Sequence, residues 1–322
     1  MIENINWYPG HMKKTRELIA ANLRLVGAVV EVCDARIPVS SRNPIIDELT
    51  QGKPRVIVLN KSDLADERET SAWLGYFSRG GRGRISAVAM NAQSGQGLKK
   101  LLSALDGIAA SREGNAADRS LGVMVVGVPN SGKSSLINRL TGRRATQTGD
   151  RPGVTKGKQW LTLENGMRLL DTPGILWPKF EDPKVGLNLA FCGSIKDEIM
   201  DAPDLALELI RALNMLYPSA LMERYGLDAA GGTHGLGEDG CGGNGGGNGD
   251  SLSGDDENGD RLSGDVDPAL AVMEAIAVKR GCILPGKRVD YERTGRMIID
   301  EFRAGKLGRI TLESAEAAGG EQ

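Results

Sequence analysis

The run Gly127-Val-Pro129-Asn130-Ser131-Gly132-Lys133-Ser134-Ser135 fits G-x-x-x-x-G-K-S. That spacing lets backbone N–H groups close around phosphate oxygens at the start of a helix, whose N-terminal end adds positive field. Lys133 would reach the terminal phosphates, and Ser134 would offer a ligand to Mg2+. A phosphate loop says nucleotide without saying which one. Asn60-Lys61-Ser62-Asp63 supplies the choice. A carboxylate at Asp63 accepts two hydrogen bonds from the N1–H and 2-amino edge of guanine, whereas adenine leaves those acceptors unpaired, and such a mismatch discriminates strongly. The Lys61 stem can lie over the purine, and Asn60 can tie the two nucleotide loops together. Asn91-Ala92 ends another apolar run, where a backbone N–H could address the guanine O6; an ordinary strand-ending turn is the alternative.

Asp171-Thr-Pro-Gly174 offers a carboxylate that can hold Mg2+ through water and a Gly174 N–H that can sense the γ-phosphate. Between it and the phosphate loop lies Gly149-Asp-Arg-Pro-Gly-Val-Thr155, in which Thr155 is the candidate second Mg2+ ligand. The residue after Gly174 is Ile175, which cannot orient an attacking water as a glutamine there would.

These motifs need a frame. Three short β-branched runs, Val26 to Cys33, Arg55 to Leu59 and Ile85 to Met90, alternate with helix-like stretches, and a fourth, Leu121 to Val126, leads into the phosphate loop. Continuous Val-rich runs separated by helices indicate parallel strands covered on both faces. Leu161 to Leu163 and Met167 to Leu170, around a Glu-Asn-Gly turn, predict a hairpin. Pro183 to Tyr225 reads as helices, as do Pro268 to Lys279 and Asp290 to Phe302. The fold expected is α/β, a P-loop nucleotide domain with a mostly parallel sheet and helices on both faces, followed by an all-helical domain. In the ordinary order the phosphate loop comes first; here Asn60 to Asp63 and Asn91 precede it, so the sheet must be circularly permuted. Closely spaced domain termini make such a rearrangement tolerable. The chain then runs from the Gly174 loop straight into the helices, so the nucleotide state is expected to set how they are posed.

Composition narrows the chemistry further. The 322 residues, 40% hydrophobic and 25% charged, describe a soluble chain of about two domains. No apolar run is long enough to cross a membrane, and Met1 to Lys14 lacks a signal-peptide core, so a cytoplasmic protein with no membrane partner is expected. With only His11 and His234, a Ser-His-Asp hydrolase or a His-ligated metal enzyme is disfavoured. The cysteines Cys33, Cys192, Cys241 and Cys282 show no Cys-x-x-Cys pair, and reduced thiols are expected. The net charge of −2 hides a division, because the Gly-rich segment 229–265 carries −7 and leaves +5 on the rest. That segment has almost no large apolar side chain and reads as a disordered acidic insertion.

The chain resembles the circularly permuted GTPases, and within them the YlqF/RbgA group of ribosome-assembly GTPases. Beyond the nucleotide motifs, the matching stretches are Trp7-Tyr-Pro-Gly-His-Met12, Asp34-Ala-Arg-Ile-Pro38, Asp171 to Asp182 and Arg280-Gly-Cys. The resemblance spans nearly the whole chain apart from 229–265. It implies an arm at 1–13, a GTP-binding domain at 14–182 and an RNA-binding helical domain at 183–322. It also implies GTP hydrolysis, from GTP to GDP, coupled to late maturation of the large ribosomal subunit precursor, with its rRNA as the main contact. Nine bases against four acids between Lys279 and Arg309 fit such a face only weakly, and a solvated helix face is the simpler account of them. His11 becomes the catalytic candidate; packing beside Trp7 and Tyr8, or stacking on RNA, is its alternative. Asn130 resembles the asparagine of potassium-dependent GTPases, which suggests a K+ there, while bracing of the loop is the simpler role. The rival reading of the whole chain is a nucleotide-gated RNA-binding scaffold with negligible catalysis. A GTPase of tRNA modification or membrane traffic is disfavoured, since no lipidation motif or amphipathic anchor is seen.

Overall fold

The computed structural model describes residues 17, 19–50, 52–80, 84–112, 121–142, 159–163, 165–171, 182–227 and 267–319. His11, Thr155, Gly174, the side chain of Asp171 and the 229–265 segment lie outside the described residues.

Six strands form one sheet: β1 (Ala28–Asp34), β2 (Arg55–Asn60), β3 (Ile85–Ala89), β4 (Gly122–Val126), β5 (Gln159–Thr162) and β6 (Arg168–Asp171), in the order β3-β2-β1-β4-β6-β5. All neighbours are parallel except β5, which pairs antiparallel with β6 at the edge. The chain starts near the centre at β1, steps outward to β3, returns to the centre at β4, then reaches the opposite edge at β5 and turns back to place β6 beside β4. The order therefore reverses between β1 and β4, and the phosphate loop leaves β4 at that switch point. Crevices beyond the carboxyl ends of strands at such a point are where open α/β sheets take ligands. The Asn60 and Asn91 motifs end β2 and β3, so three motifs share that edge of the sheet.

Every residue of β1, β2 and β4 is buried, which is why these strands read as Val-rich runs, with Glu31 the charged exception inside β1. Successive side chains alternate faces. Val30, Val32, Val56, Val58, Val123 and Val125 form a core with α3 (Leu98–Ala110) and α4 (Lys133–Leu140). On the other face, Val29, Met124 and Val126 meet Ile19, Leu23 and Ile46, the last from α1 (Pro44–Leu49). Toward the β3 edge, Ile57 and Leu59 pack on Trp73 and Phe77 of α2 (Glu67–Gly80).

The helical layer comprises α5 (Pro183–Phe191), α6 (Ala202–Leu216), α7 (Pro218–Tyr225), α8 (Pro268–Arg280) and α9 (Tyr291–Arg303). Its helix starts are written in the sequence. Asp182, Asp201 and Asp267 each cap a helix with a proline in its first turn, accepting from Lys184 N, Asp204 N and Ala269 N. A short antiparallel hairpin, β7 (Ile283–Leu284) with β8 (Arg288–Val289), links α8 to α9, an element the apolar spacing does not reveal. The core of this layer reaches into the nucleotide domain, since Ile37 beyond β1 and Val128 of the phosphate loop are fully buried within it. Beyond α9 the chain turns back onto that domain, and α10 (Ala315–Gly319) lies against α2 with Ala315 beside Trp73 and Phe77. The Trp73 indole N–H donates to the Glu313 carbonyl at 3.0 Å.

Candidate functional site

Gly132 caps α4 with φ +94°, a left-handed conformation, and a Cβ there would overlap the Asn60 amide nitrogen. Only glycine satisfies both demands. Lys133 begins the helix, and its ammonium donates to the Val128 carbonyl at 2.9 Å, which keeps the charge at the mouth of the loop. Ser134 and Ser135 follow in the first turn of α4. Asn60 joins the loops as its position suggested: Nδ2 donates to the Ser131 carbonyl at 2.8 Å, and Oδ1 accepts from Ala92 N at 3.0 Å. The Ala92 N–H is thereby engaged with Asn60. Asn91 ends its strand in a turn, with Oδ1 accepting from Gln93 N and Ser94 N.

Lys61 sits at φ +58° and pairs with Asp34 at 3.0 Å, while the Asp63 side chain is exposed beside it. Asp34 is the centre of charge beneath the site. Its burial would raise its pKa, but the Arg36 guanidinium, held through both carboxylate oxygens at 2.9 and 3.0 Å, and the Lys61 ammonium bring it well below the usual carboxylate range. Arg36 is buried in turn, and its Nη1 donates to the carbonyls of Phe302 and Arg303 at 3.3 and 3.4 Å. A cation there complements the negative end of α9. One carboxylate thus links the base loop to the helical layer.

The phosphate loop is tied to the same layer. Asn130 donates from Nδ2 to the Gly193 carbonyl at 2.6 Å, and the Ser194 hydroxyl donates to the Pro129 carbonyl at 2.8 Å. Arg303 steadies the turn between them by donating to the carbonyls of Ala190 and Phe191 and pairing with Asp197. Beside the site, Glu313 accepts from Val39 N at 2.6 Å, from Ser40 N and from Asn188 Nδ2, and burial raises its pKa against those donors.

The family model described as a 50S ribosome-binding GTPase matches residues 122–221. A ribosome biogenesis GTPase A of Bacillus cereus is 40% identical over 320 residues, covering 98% of this chain and 95% of the relative. The chain belongs to the ribosome biogenesis GTPase A family. A mitochondrial ribosome-associated GTPase 1 of Bos taurus is 36% identical over 70% of this chain and 70% of its own. The crystal structure of GNP-bound YlqF from Thermotoga maritima superposes with a TM-score of 0.60 at 29% identity, covering 94% of this chain and 99% of that one. The chain is accordingly a circularly permuted GTPase of ribosome biogenesis.

Several residues of this family site belong to no nucleotide motif. Asp34 and Arg36 lie in a stretch that carries resemblance without a role, Arg309 reads only as one base of the positive stretch, and Glu313 and Ser194 carry no signal. The described thiols Cys33, Cys192 and Cys282 are buried and free, with Cys192 pushed by burial up to about 12, so they do packing work. No helix among the described residues is long and apolar enough to cross a membrane.

Proposed function

We propose that the protein binds GTP and GDP, reads guanine with Asp63, and spends GTP at a late step of large (50S) ribosomal subunit assembly in the cytoplasm. The observation that carries the nucleotide reading is the Asn60 amide, which bonds to the phosphate loop and to the Asn91-Ala92 loop at once. The motif residues Pro129 to Ser135 would enclose the phosphates. The glycine-lined cradle ahead of α4 carries Ser134 in its first turn, which supports Ser134 as an Mg2+ ligand; Thr155 and, through water, Asp171 would complete the set. When bound, Mg2+ would offset charge shared by the β- and γ-phosphates.

Around it the chain's own groups do the rest. Lys133 faces the terminal phosphates, the Gly174 N–H senses the γ-phosphate, and His11 orients the attacking water once the ribosomal precursor has placed the arm. Because Ile175 cannot take that part, turnover of the isolated protein is slow and rises on the precursor. K+ would lie at Asn130, whose amide nitrogen also holds Gly193. Contact with rRNA falls to the exposed bases Lys279, Lys287, Arg288, Arg293 and Lys306. Arg303 and Arg309 bond within the protein, so the net positive charge of that stretch overstates its RNA-facing part.

The test is single-turnover GTP hydrolysis with Mg2+, in potassium and then sodium, with and without purified large subunits. Stimulation by subunits that His11→Ala abolishes is the expected result. GTP-dependent binding with no stimulation would instead support the scaffold, and turnover indifferent to potassium would remove the cation from Asn130.

A further inference from the structure

The loop that presents Asp63 is held from outside its own domain. Its six residues, 61–66, follow β2 and are fastened there by Ser62 N to the Met90 carbonyl at 3.1 Å. Lys61 is held by its pair with Asp34, and further fastening comes from the strap 305–312 beyond α9. Arg309 donates from Nη2 to the Ser62 carbonyl at 3.1 Å and from Nε to the Ala65 carbonyl at 3.0 Å, so one planar guanidinium spans the two ends of the turn around Asp63. Ile310 N donates to the Leu64 carbonyl at 3.0 Å, and Asp66 N donates to the Thr311 hydroxyl at 3.1 Å. Gly305, at φ +72°, lets the strap come close enough that a Cβ would stand 2.6 Å from Leu64 Cδ2.

We infer that Arg309 is a positioning residue for guanine recognition, through which the helical layer sets the affinity of the nucleotide domain for the base. The inference rests on the reading of Asp63 as the guanine acceptor. Two charge-assisted bonds from one rigid fork fix both the height and the tilt of the turn, which a lysine, with a single point of charge, cannot reproduce. Because α9 and the strap are continuous, a ligand that displaces the strap loosens the base while leaving the phosphate loop on its separate anchors at Gly193 and Ser194. A ribosomal particle engaging the helical layer would then promote nucleotide exchange from the base side.

The experiment is calorimetric titration of the full-length protein and of Arg309→Ala, Arg309→Lys and Asp63→Ala with GDP and with inosine diphosphate, which lacks the 2-amino group. In Arg309→Ala, GDP binding is expected to weaken about tenfold, the loss of a hydrogen-bonded charged anchor. Inosine diphosphate is expected to weaken less, so that the preference for guanine shrinks, with Arg309→Lys recovering only part of it. Unchanged GDP binding, or GDP and inosine diphosphate weakened by the same factor, would overturn the positioning role. Asp63→Ala separates the two ideas, since a guanine preference that survives it removes the base reading itself. Arg309 is half exposed at the surface, so its truncation leaves no cavity to confuse the result.

Discussion

The two ends of the nucleotide site are held by the same helical layer in unlike ways. At the phosphate end the anchor is burial: Val128 sits fully enclosed in the helical core, and the adjoining bonds from Asn130 and Ser194 are short and neutral. At the base end, beside the Lys61–Asp34 pair, the anchor from the strap is a half-exposed guanidinium with backbone pairings. Moving the phosphate loop away from the helices would open a packed core, and such cores resist small displacements. Releasing the strap from the base loop breaks hydrogen bonds that water can replace. A partner can thus adjust the grip on the base more cheaply than the grip on the phosphates. Coupling by two anchors of different stiffness is also what the permutation allows, because the chain leaves the nucleotide domain next to the helices it must report to.

Asp34 joins the base loop to the helical layer through Lys61 and Arg36, so its loss should give the largest effect, at the base end. Asp34→Asn strands the buried Arg36 and frees Lys61 together. Removing one partner of a buried pair costs about 3–5 kcal/mol, to be read as the loss of unfolding free energy in urea. The pH dependence has a definite sign. The folded-state carboxyl lies below its unfolded value, so its contribution is fully present above about pH 4 and fades as pH falls below that. The stability gap between wild type and Asp34→Asn should therefore be flat through neutrality and close in acid; a gap that widens in acid would contradict the pairing.

Val128→Ala comes next. Truncating a fully buried aliphatic side chain should cost about 2 kcal/mol in the same unfolding measurement. It should also weaken GDP and inosine diphosphate by equal factors, since the phosphate loop does not read the base. Unequal factors would blur the distinction between the ends. Ser194→Ala is milder. It leaves the buried Pro129 carbonyl without its 2.8 Å donor, for about 1 kcal/mol and again no change in base preference.

The parts of this design that the sequence makes legible are the local ones. β1, β2 and β4 are Val-rich runs because both faces are covered, and the helix starts carry their Asp-Pro caps. The edge hairpin is shifted outward from the apolar runs, because Leu163 and Met167 close the turn through Leu163 N to Met167 O at 2.8 Å. What stays hidden is long-range. Arg309 and Ser62 are 247 residues apart, and Glu313 and Ser40 are 273 apart. In the sequence Arg309 is one more base in a positive stretch, and nothing local distinguishes a clamp on two carbonyls from a side chain in water. Asp34-Ala-Arg36 shows the intermediate case, a stretch recognisable by resemblance whose task appears only when α9 lies over it.

The smallest predicted effect sharpens the comparison most. Arg309 also pairs with Glu67 at 3.3 Å, and Glu67 is 80% exposed. A surface ion pair of this kind contributes at most about 0.5 kcal/mol and weakens with salt. Glu67→Ala should therefore leave thermal stability and GDP affinity nearly unchanged, while Arg309→Ala, which breaks the same pair and the two carbonyl bonds, lowers affinity. If Glu67→Ala reproduced the Arg309→Ala loss, and added salt abolished it in the wild type, the base end would be governed by surface charge. If Glu67→Ala is silent at both low and high salt, the carbonyls of Ser62 and Ala65 are the contacts that matter, and the base-end anchor is a geometric fork that salt cannot loosen but a displaced strap can.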